Sequence, residues 1–269
     1  MTKTRERQGI SALAAMFARA KAQGRAAFLP YFPIGYPTYD ASLEAVKAMA
    51  ALGADGFEVG IPFSDPIADG PTIQAATQIA LENGTTVRKC LDAVKMLRDK
   101  GLTQPMLMMG YANPLVAYGT DRFVRDARAA GADGLIVPDL PPEEAAMFAD
   151  SCAREDMALV FMLAPTSNDQ RIDLVTQHVT GFIYVVSLTG ITGARRELPA
   201  YLKDFIARLR AHTDKPLVLG FGISTAEHVR EVSQLTDGFI VGSALVRAGG
   251  EGLEAVRELT GSMVEAIRN

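Results

Sequence analysis

The sequence predicts an α/β protein folded as one closed, parallel (β/α)8 or TIM barrel, with an additional N-terminal helix and extra short helices in the loops that follow strands. Three observations lead there. Short Val/Ile/Phe-rich runs recur at Phe28–Pro33, Gly56–Ile61, Met106–Gly110, Gly134–Val137, Ala158–Leu163, Phe182–Ser187, Leu217–Gly220 and Phe239–Val241. Amphipathic stretches of helical spacing separate them, among them Ser42–Leu52, Val87–Lys100, Glu143–Glu155 and Leu202–His212. Strand and helix alternating in this way favour a barrel over a doubly wound sheet. A weak repeat is the third: GADGFEVG from Gly53, GADGLIVP from Gly131 and TDGFIVG from Thr236 each lead from a helix into a strand. The Asp-Gly pair in each reads as a tight turn before the strand.

Residues 6–23 read as an amphipathic helix ahead of the first strand, placed to cap the barrel floor. With 269 residues, 48% of them hydrophobic, one large core is ordinary, and no linker or low-complexity segment divides the chain. The expected organisation is a single domain over 1–269. The net charge of −4, without a basic tract interleaved with aromatics, argues against nucleic acid as a partner. Cys90 and Cys152 lack metal-ligand or CxxC spacing and read as free thiols. No apolar run follows the charged MTKTRERQGI start or reaches membrane-spanning length, so a cytoplasmic protein with no membrane contact is expected. His178, His212 and His228 fall in helical or helix-flanking segments and read as surface residues.

The most informative segment is FEVGIPFSDPIADGPTIQ, Phe57 to Gln74. Phe57, Val59 and Ile61 alternate with Glu58 and Gly60, which puts Glu58 on the opposite face from the apolar side chains. An acid inside a buried strand is costly to ionise, which raises its pKa and suits it to proton transfer. Asp65 and Asp69 follow in a Pro- and Gly-rich turn, eleven positions separating Glu58 from Asp69, and a reversal at Pro66–Gly70 would bring those two carboxylates to one small substrate. On these residues alone, Glu58 could equally be a structural ion-pair partner and Asp69 a capping residue before Pro71.

Gly222, after the seventh strand, and Gly242-Ser243, after the eighth, read as a phosphate site built from backbone N–H groups. Ser224 and Glu227 have the spacing of a capping box that would start the following helix. The alternative is that these glycines merely cap strands. In SLTGITGARR, after the sixth strand, Gly190 and Gly193 allow hinge motion and Thr192 offers a hydroxyl that could meet Asp69, or the segment is an ordinary surface loop.

The ordered blocks PYFPIGYP, Phe57–Gln74, YANPL, VPDLPPEE, SLTGITG, GFGIS and GSALV, spanning about Phe28 to Val246, resemble the tryptophan synthase α subunit family. The resemblance implies a lyase that cleaves indole-3-glycerol phosphate reversibly to indole and glyceraldehyde 3-phosphate, with Glu58 and Asp69 as its catalytic carboxylates. It makes the loop bearing Thr192 a substrate lid, adds Gly193 to the phosphate contacts and places Tyr184 near Glu58. Phe28, Ile136, Met162 and Phe221 are the expected walls of an indole pocket. No metal or organic cofactor is expected in this chain. The implied partner is a pyridoxal-phosphate-dependent β subunit in an α2β2 heterotetramer, docked on the loops at Pro62–Pro66, Tyr111–Gly119 and Pro138–Pro142. A free-standing indole-releasing lyase, a non-catalytic regulatory subunit and another phosphate-binding barrel remain the alternatives.

Overall fold

The computed structural model describes residues 8–186, 201–220 and 222–268. In chain order the elements are α1 (Gly9–Ala22), β1 (Ala27–Pro33), α2 (Tyr39–Leu52), β2 (Phe57–Gly60), α3 (Pro71–Glu82), α4 (Val87–Asp99) and β3 (Met106–Met109). There follow α5 (Ala112–Tyr118), α6 (Thr120–Ala130), β4 (Gly134–Ile136), α7 (Ala146–Arg154), β5 (Ala158–Leu163), α8 (Asp169–His178) and β6 (Ile183–Val186). The last are α9 (Tyr201–His212), β7 (Leu217–Gly220), α10 (Ala226–Ser233), β8 (Gly238–Val241), α11 (Ser243–Glu251) and α12 (Leu253–Ala266). The strands pair in sequence order, all parallel, and β8 closes on β1. The short extra helices are α3, α5, α11 and a 3-10 turn at Pro142–Glu144. That turn corrects the expected helix over 143–155: the 3-10 segment starts at Pro142, and the α-helix begins only at Ala146. Among the described residues no helix is long and apolar enough to cross a membrane.

The internal repeat has a physical cause that goes beyond a turn. Asp55, Asp133 and Asp237 each stand just ahead of an even-numbered strand and accept, through Oδ2, the backbone N–H of Phe28, Met106 and Leu217 on the preceding odd strand, at 2.9, 3.0 and 2.7 Å. The backbone N–H of each aspartate returns a bond to the carbonyl of that same residue. A fourth copy at β6 escapes a search for Asp-Gly: Thr180 takes the aspartate's place, its Oγ1 accepting Leu159 N–H at 2.8 Å. An arginine neutralises each aspartate: Arg25 on Asp55, Arg98 on Asp133 and Arg210 on Asp237.

The glycines after three of the four pins have their own role, because α1 lies across this end of the barrel. A Cβ on Gly56 would come within 2.8 Å of Met16 Sδ, and those on Gly181 and Gly238 would sit 3.3 Å from Leu13 and Phe17. Gly9 N–H completes the attachment by donating to Asp133 Oδ1 at 2.7 Å. This floor-capping position is the one expected for the N-terminal helix.

Asp133 is fully buried and joins β3, α4 and α1, so Asp133→Ala is expected to cost about 3–5 kcal/mol by leaving Arg98 without its countercharge. Thr180→Val removes one neutral hydrogen bond and should cost about 1 kcal/mol. Urea unfolding of both variants checks the ranking; equal losses would mean that the carboxylate pin is no stronger than the hydroxyl one.

Candidate active site

Pairing register determines which side chains face the barrel interior. Residues paired across parallel strands share a face, and so do alternate residues of one strand. Tyr31 pairs with Glu58, Met109 with Ile136, Met162 with Tyr184, and the series returns through Val218, Gly238 and Ala27 to the face of Tyr31. Phe28 and Phe32 have the opposite parity; Phe32 lies against Gly249 of α11, which marks theirs as the helix-facing side. The inner face therefore brings Glu58, Ile136, Met162 and Tyr184 together, as expected. It excludes Phe28, which is fully buried between strand and helices and stacked on Phe239 with ring centroids 5.1 Å apart. The inward aromatic of β1 is Tyr31.

Glu58 is the second residue of β2, 1% exposed, and neither carboxylate oxygen has a hydrogen-bond partner among the described residues. Burial, and after it the charge of Asp69, pushes its pKa well above the ordinary carboxylate value. Asp69 stands in the turn between β2 and α3, reversed by its own N–H bonding Pro66 carbonyl at 3.0 Å, with Gly70 and Pro71 starting the helix. Asp69 is not freely solvated in this turn. Its carboxylate is half-buried and pushed up to about 6 by desolvation, against which a hydrogen bond from Tyr111 works.

Tyr111 was not singled out as a site residue, yet it organises this loop. Its hydroxyl donates to Asp69 Oδ2 at 3.1 Å and accepts Ala68 N–H at 3.0 Å, while its ring packs on Phe63. Two other tyrosines flank Glu58. Tyr184 occupies the space left by Gly220, where a Cβ would lie 2.2 Å from the phenol oxygen, and Tyr31 uses Gly60 in the same way at 2.5 Å. Burial and the two carboxylates raise both phenol pKa values, so both hydroxyls remain protonated donors.

At the ends of β7 and β8 stand the expected phosphate residues. Gly222 has φ +81°, a conformation that favours glycine. Gly242 caps α11 and Ser243 opens it, so the free N–H groups of that first turn face the mouth end. Ser224 is not the cap of α10: Thr225 is, its side chain accepting His228 N–H, while Ser224 N–H donates to His228 Nδ1 at 3.4 Å. His228 is accordingly a buried residue behind the loop and not a surface one. A solitary histidine on an amphipathic helix gives no sequence signal of this. Thr192, Gly193 and Phe221 lie outside the described residues.

A family model described as tryptophan synthase alpha chain matches residues 17–267. The chain belongs to that family. Among its relatives, the tryptophan synthase alpha chain of Roseiflexus castenholzii is 52% identical over 237 residues, covering 88% of this chain and 91% of the relative. That of Gluconacetobacter diazotrophicus is 43% identical over 271 residues, covering 97% and 99%. Solved structures of the family agree: Mycobacterium tuberculosis tryptophan synthase superposes with a TM-score of 0.90 at 39% identity, covering 96% of this chain and 98% of that one. The alpha subunit from Legionella pneumophila gives 0.88 at 33%, covering 95% and 98%.

Proposed function

We propose that Glu58 and Asp69 are the acid–base and electrostatic groups with which this chain, a tryptophan synthase α subunit, cleaves indole-3-glycerol phosphate to indole and glyceraldehyde 3-phosphate. The observation that carries the assignment is Glu58 itself, a fully enclosed carboxyl with both oxygens unpartnered on the inner face of a barrel mouth. A purely structural glutamate would have a hydrogen bond or countercharge there.

The chemistry follows from the two environments. Protonated Glu58 gives its proton to C3 of the indole ring, forming a cationic indolenine. The C1′ hydroxyl of the side chain then loses its proton to the Glu58 carboxylate as the C1′–C3 bond breaks. The bond's electron pair returns to the ring and neutralises the nitrogen, and C1′ leaves as an aldehyde. Asp69, anionic above about pH 6, accepts the indole N–H and stabilises the ring's positive charge. Phosphate is held by the Gly222 loop and the first turn of α11. Ile136 and Met162 wall the indole, while the roles given to Thr192, Gly193 and Phe221 rest on the family resemblance, those residues lying outside the described ones.

No organic cofactor is assigned to this chain; pyridoxal phosphate belongs to the β subunit that receives indole. One of the loops read as the docking face carries an exposed apolar side chain in support, Val116 of Tyr111–Gly119 at 52%, and Ile67, one position past Pro62–Pro66, is 82% exposed. The whole chain, 1–269, is read as one domain, supported by a core that is continuous from Leu13 to Ile267. The cytoplasm is its proposed compartment, in keeping with two free, buried thiols at Cys90 and Cys152.

The test is indole release from indole-3-glycerol phosphate by the purified chain, with and without a β subunit. Slow release that rises sharply with β is expected. Fast release indifferent to β would indicate a free-standing lyase, and none in either condition would overturn the reading.

A further inference from the structure

Two adjacent glycines, Gly249 and Gly250, lie in the last turn of α11 and have no part in the chemistry proposed above. Glycine is the poorest helix former after proline, so a pair of them in one short helix needs a local reason. The reason lies in what a side chain would meet there. A Cβ on Gly249 would come within 2.6 Å of Phe32 Cζ, and one on Gly250 within 2.5 Å of Tyr36 Oη. The two contacts differ in what can yield. Tyr36 is half-buried beside an exposed Gly250, and its hydroxyl end can swing aside. The Phe32 ring is 1% exposed on the helix-facing side of β1 and has no room to turn. The last turn of α11 is therefore seated on Phe32 at a depth that only glycine permits.

The other end of the same helix carries the phosphate groups. Among the described residues no side chain caps α11, and its first internal bond runs from Val246 N–H to the Gly242 carbonyl at 3.0 Å. The N–H groups of Ser243, Ala244 and Leu245 are thereby left for an anion. Gly242 rests on the root of Tyr31, its own Cβ position 3.6 Å from Tyr31 Cβ, which is an ordinary contact. One short rod thus lies on β1 at two points, roughly 10 Å apart along its axis. Gly252, at φ +131°, breaks the chain before α12, so α11 takes a tilt of its own.

On the lyase reading and its phosphate site, we infer that Gly249 is a positioning residue: its seat on Phe32 sets the tilt of α11, and so where the first-turn N–H groups meet phosphate. An alanine methyl there would need about 1 Å more to reach ordinary contact with the ring. The enclosed ring cannot supply it, so the last turn lifts and the first turn leaves its place at the mouth. Phosphate is held alike before and during bond cleavage, so the effect falls on affinity and not on kcat.

Two fragments test this by their dissociation constants: glycerol 3-phosphate, which has the phosphate without the ring, and indole-3-propanol, which has the ring without the phosphate. Gly249→Ala is expected to weaken glycerol 3-phosphate about tenfold and to leave indole-3-propanol unaltered. KM for indole-3-glycerol phosphate should rise by the same factor at nearly unchanged kcat. Gly250→Ala should bind both fragments as the wild type does. Adding Phe32→Leu to Gly249→Ala removes the far end of the ring and should restore most of the phosphate affinity. Unchanged phosphate binding in Gly249→Ala, equal weakening of both fragments, or no recovery in the double variant would each overturn the inference. If Gly249→Ala does not fold, Phe32→Leu alone takes its place. By withdrawing the seat it is expected to weaken glycerol 3-phosphate about threefold and to spare indole-3-propanol; unaltered phosphate binding would overturn the seat. Wild-type protein that does not bind glycerol 3-phosphate would instead overturn the phosphate site itself, before any variant is made.

Discussion

Replacing Glu58 with glutamine is expected to cut indole-3-glycerol phosphate cleavage by about 10²–10⁴-fold and, at the same time, to make the protein melt at a higher temperature. Glutamine fills the same space but cannot hand over or take up the proton, which accounts for the lost rate. The stability gain comes from removing a group that resists ionisation where it stands, enclosed and opposite Asp69. At pH values below 4.5, the ordinary value for the group, Glu58 is protonated in both folded and unfolded chain, and its charge costs nothing. Above that, the unfolded chain ionises freely while the folded one resists, so wild-type stability is lost as pH rises toward the raised folded value. The melting temperature of the variant should therefore pull ahead progressively from pH 5 to pH 8. A gain of roughly 2–4 °C is expected for each kcal/mol released in a chain of this size. Melts at both pH values beside the indole assay decide the matter. Near-normal turnover would remove Glu58 from the mechanism, and a lower melting temperature at pH 8 would show that the folded protein supplies the carboxylate with a stabilising partner. Opposite effects on rate and stability are the mark of a group retained for chemistry.

Asp69→Asn should lose about 10²–10³-fold in kcat/KM, with a change in pH dependence that a structural role would not produce. In the wild type, Asp69 is anionic above about 6 and protonated below it. A neutral carboxyl does not stabilise a cationic indolenine, so kcat/KM should fall on the acid side with its midpoint near pH 6. The asparagine variant has no such group, and its residual activity should lack that limb. Steady-state rates from pH 5 to pH 8 make the comparison; a limb that survives in Asp69→Asn belongs to some other residue. Tyr111 bears on the same midpoint, since its hydrogen bond opposes the upward push of burial.

The barrel was legible because each strand is a compact Val/Ile/Phe run and each helix a longer amphipathic one. Glu58 and Asp69 were legible because charge is rare in such a run and the turn chemistry after it is explicit. Which way β1 faces was not. Ala27–Pro33 is apolar at every position, so no alternation separates inside from outside, and Phe28 was a reasonable but mistaken choice for the pocket. Only the register carried round the closed sheet identifies Tyr31. Adjacent residues that can each cap a helix pose a similar ambiguity at Ser224 and Thr225, decided by backbone geometry. The hydrogen bond that opposes the desolvation of Asp69 comes from Tyr111, a residue far off in sequence that the barrel brings alongside.

The four strand pins also bear on how the chain reaches its native state. Each joins residues close in sequence, with separations of 27, 27, 21 and 20 positions, so the loop closed in forming it is short. Every odd–even strand pair can be secured by its own segment as soon as that segment is available, without waiting for the ends of the chain to meet. The bond from Gly9 to Asp133, across 124 positions, is of the other kind and ties the floor helix α1 to the second strand pair. Assembly built from local closures and completed by a few long stitches has a low-contact-order route into a topology whose ends must ultimately join. The helix across the floor is then a late seal on strand pairs already made.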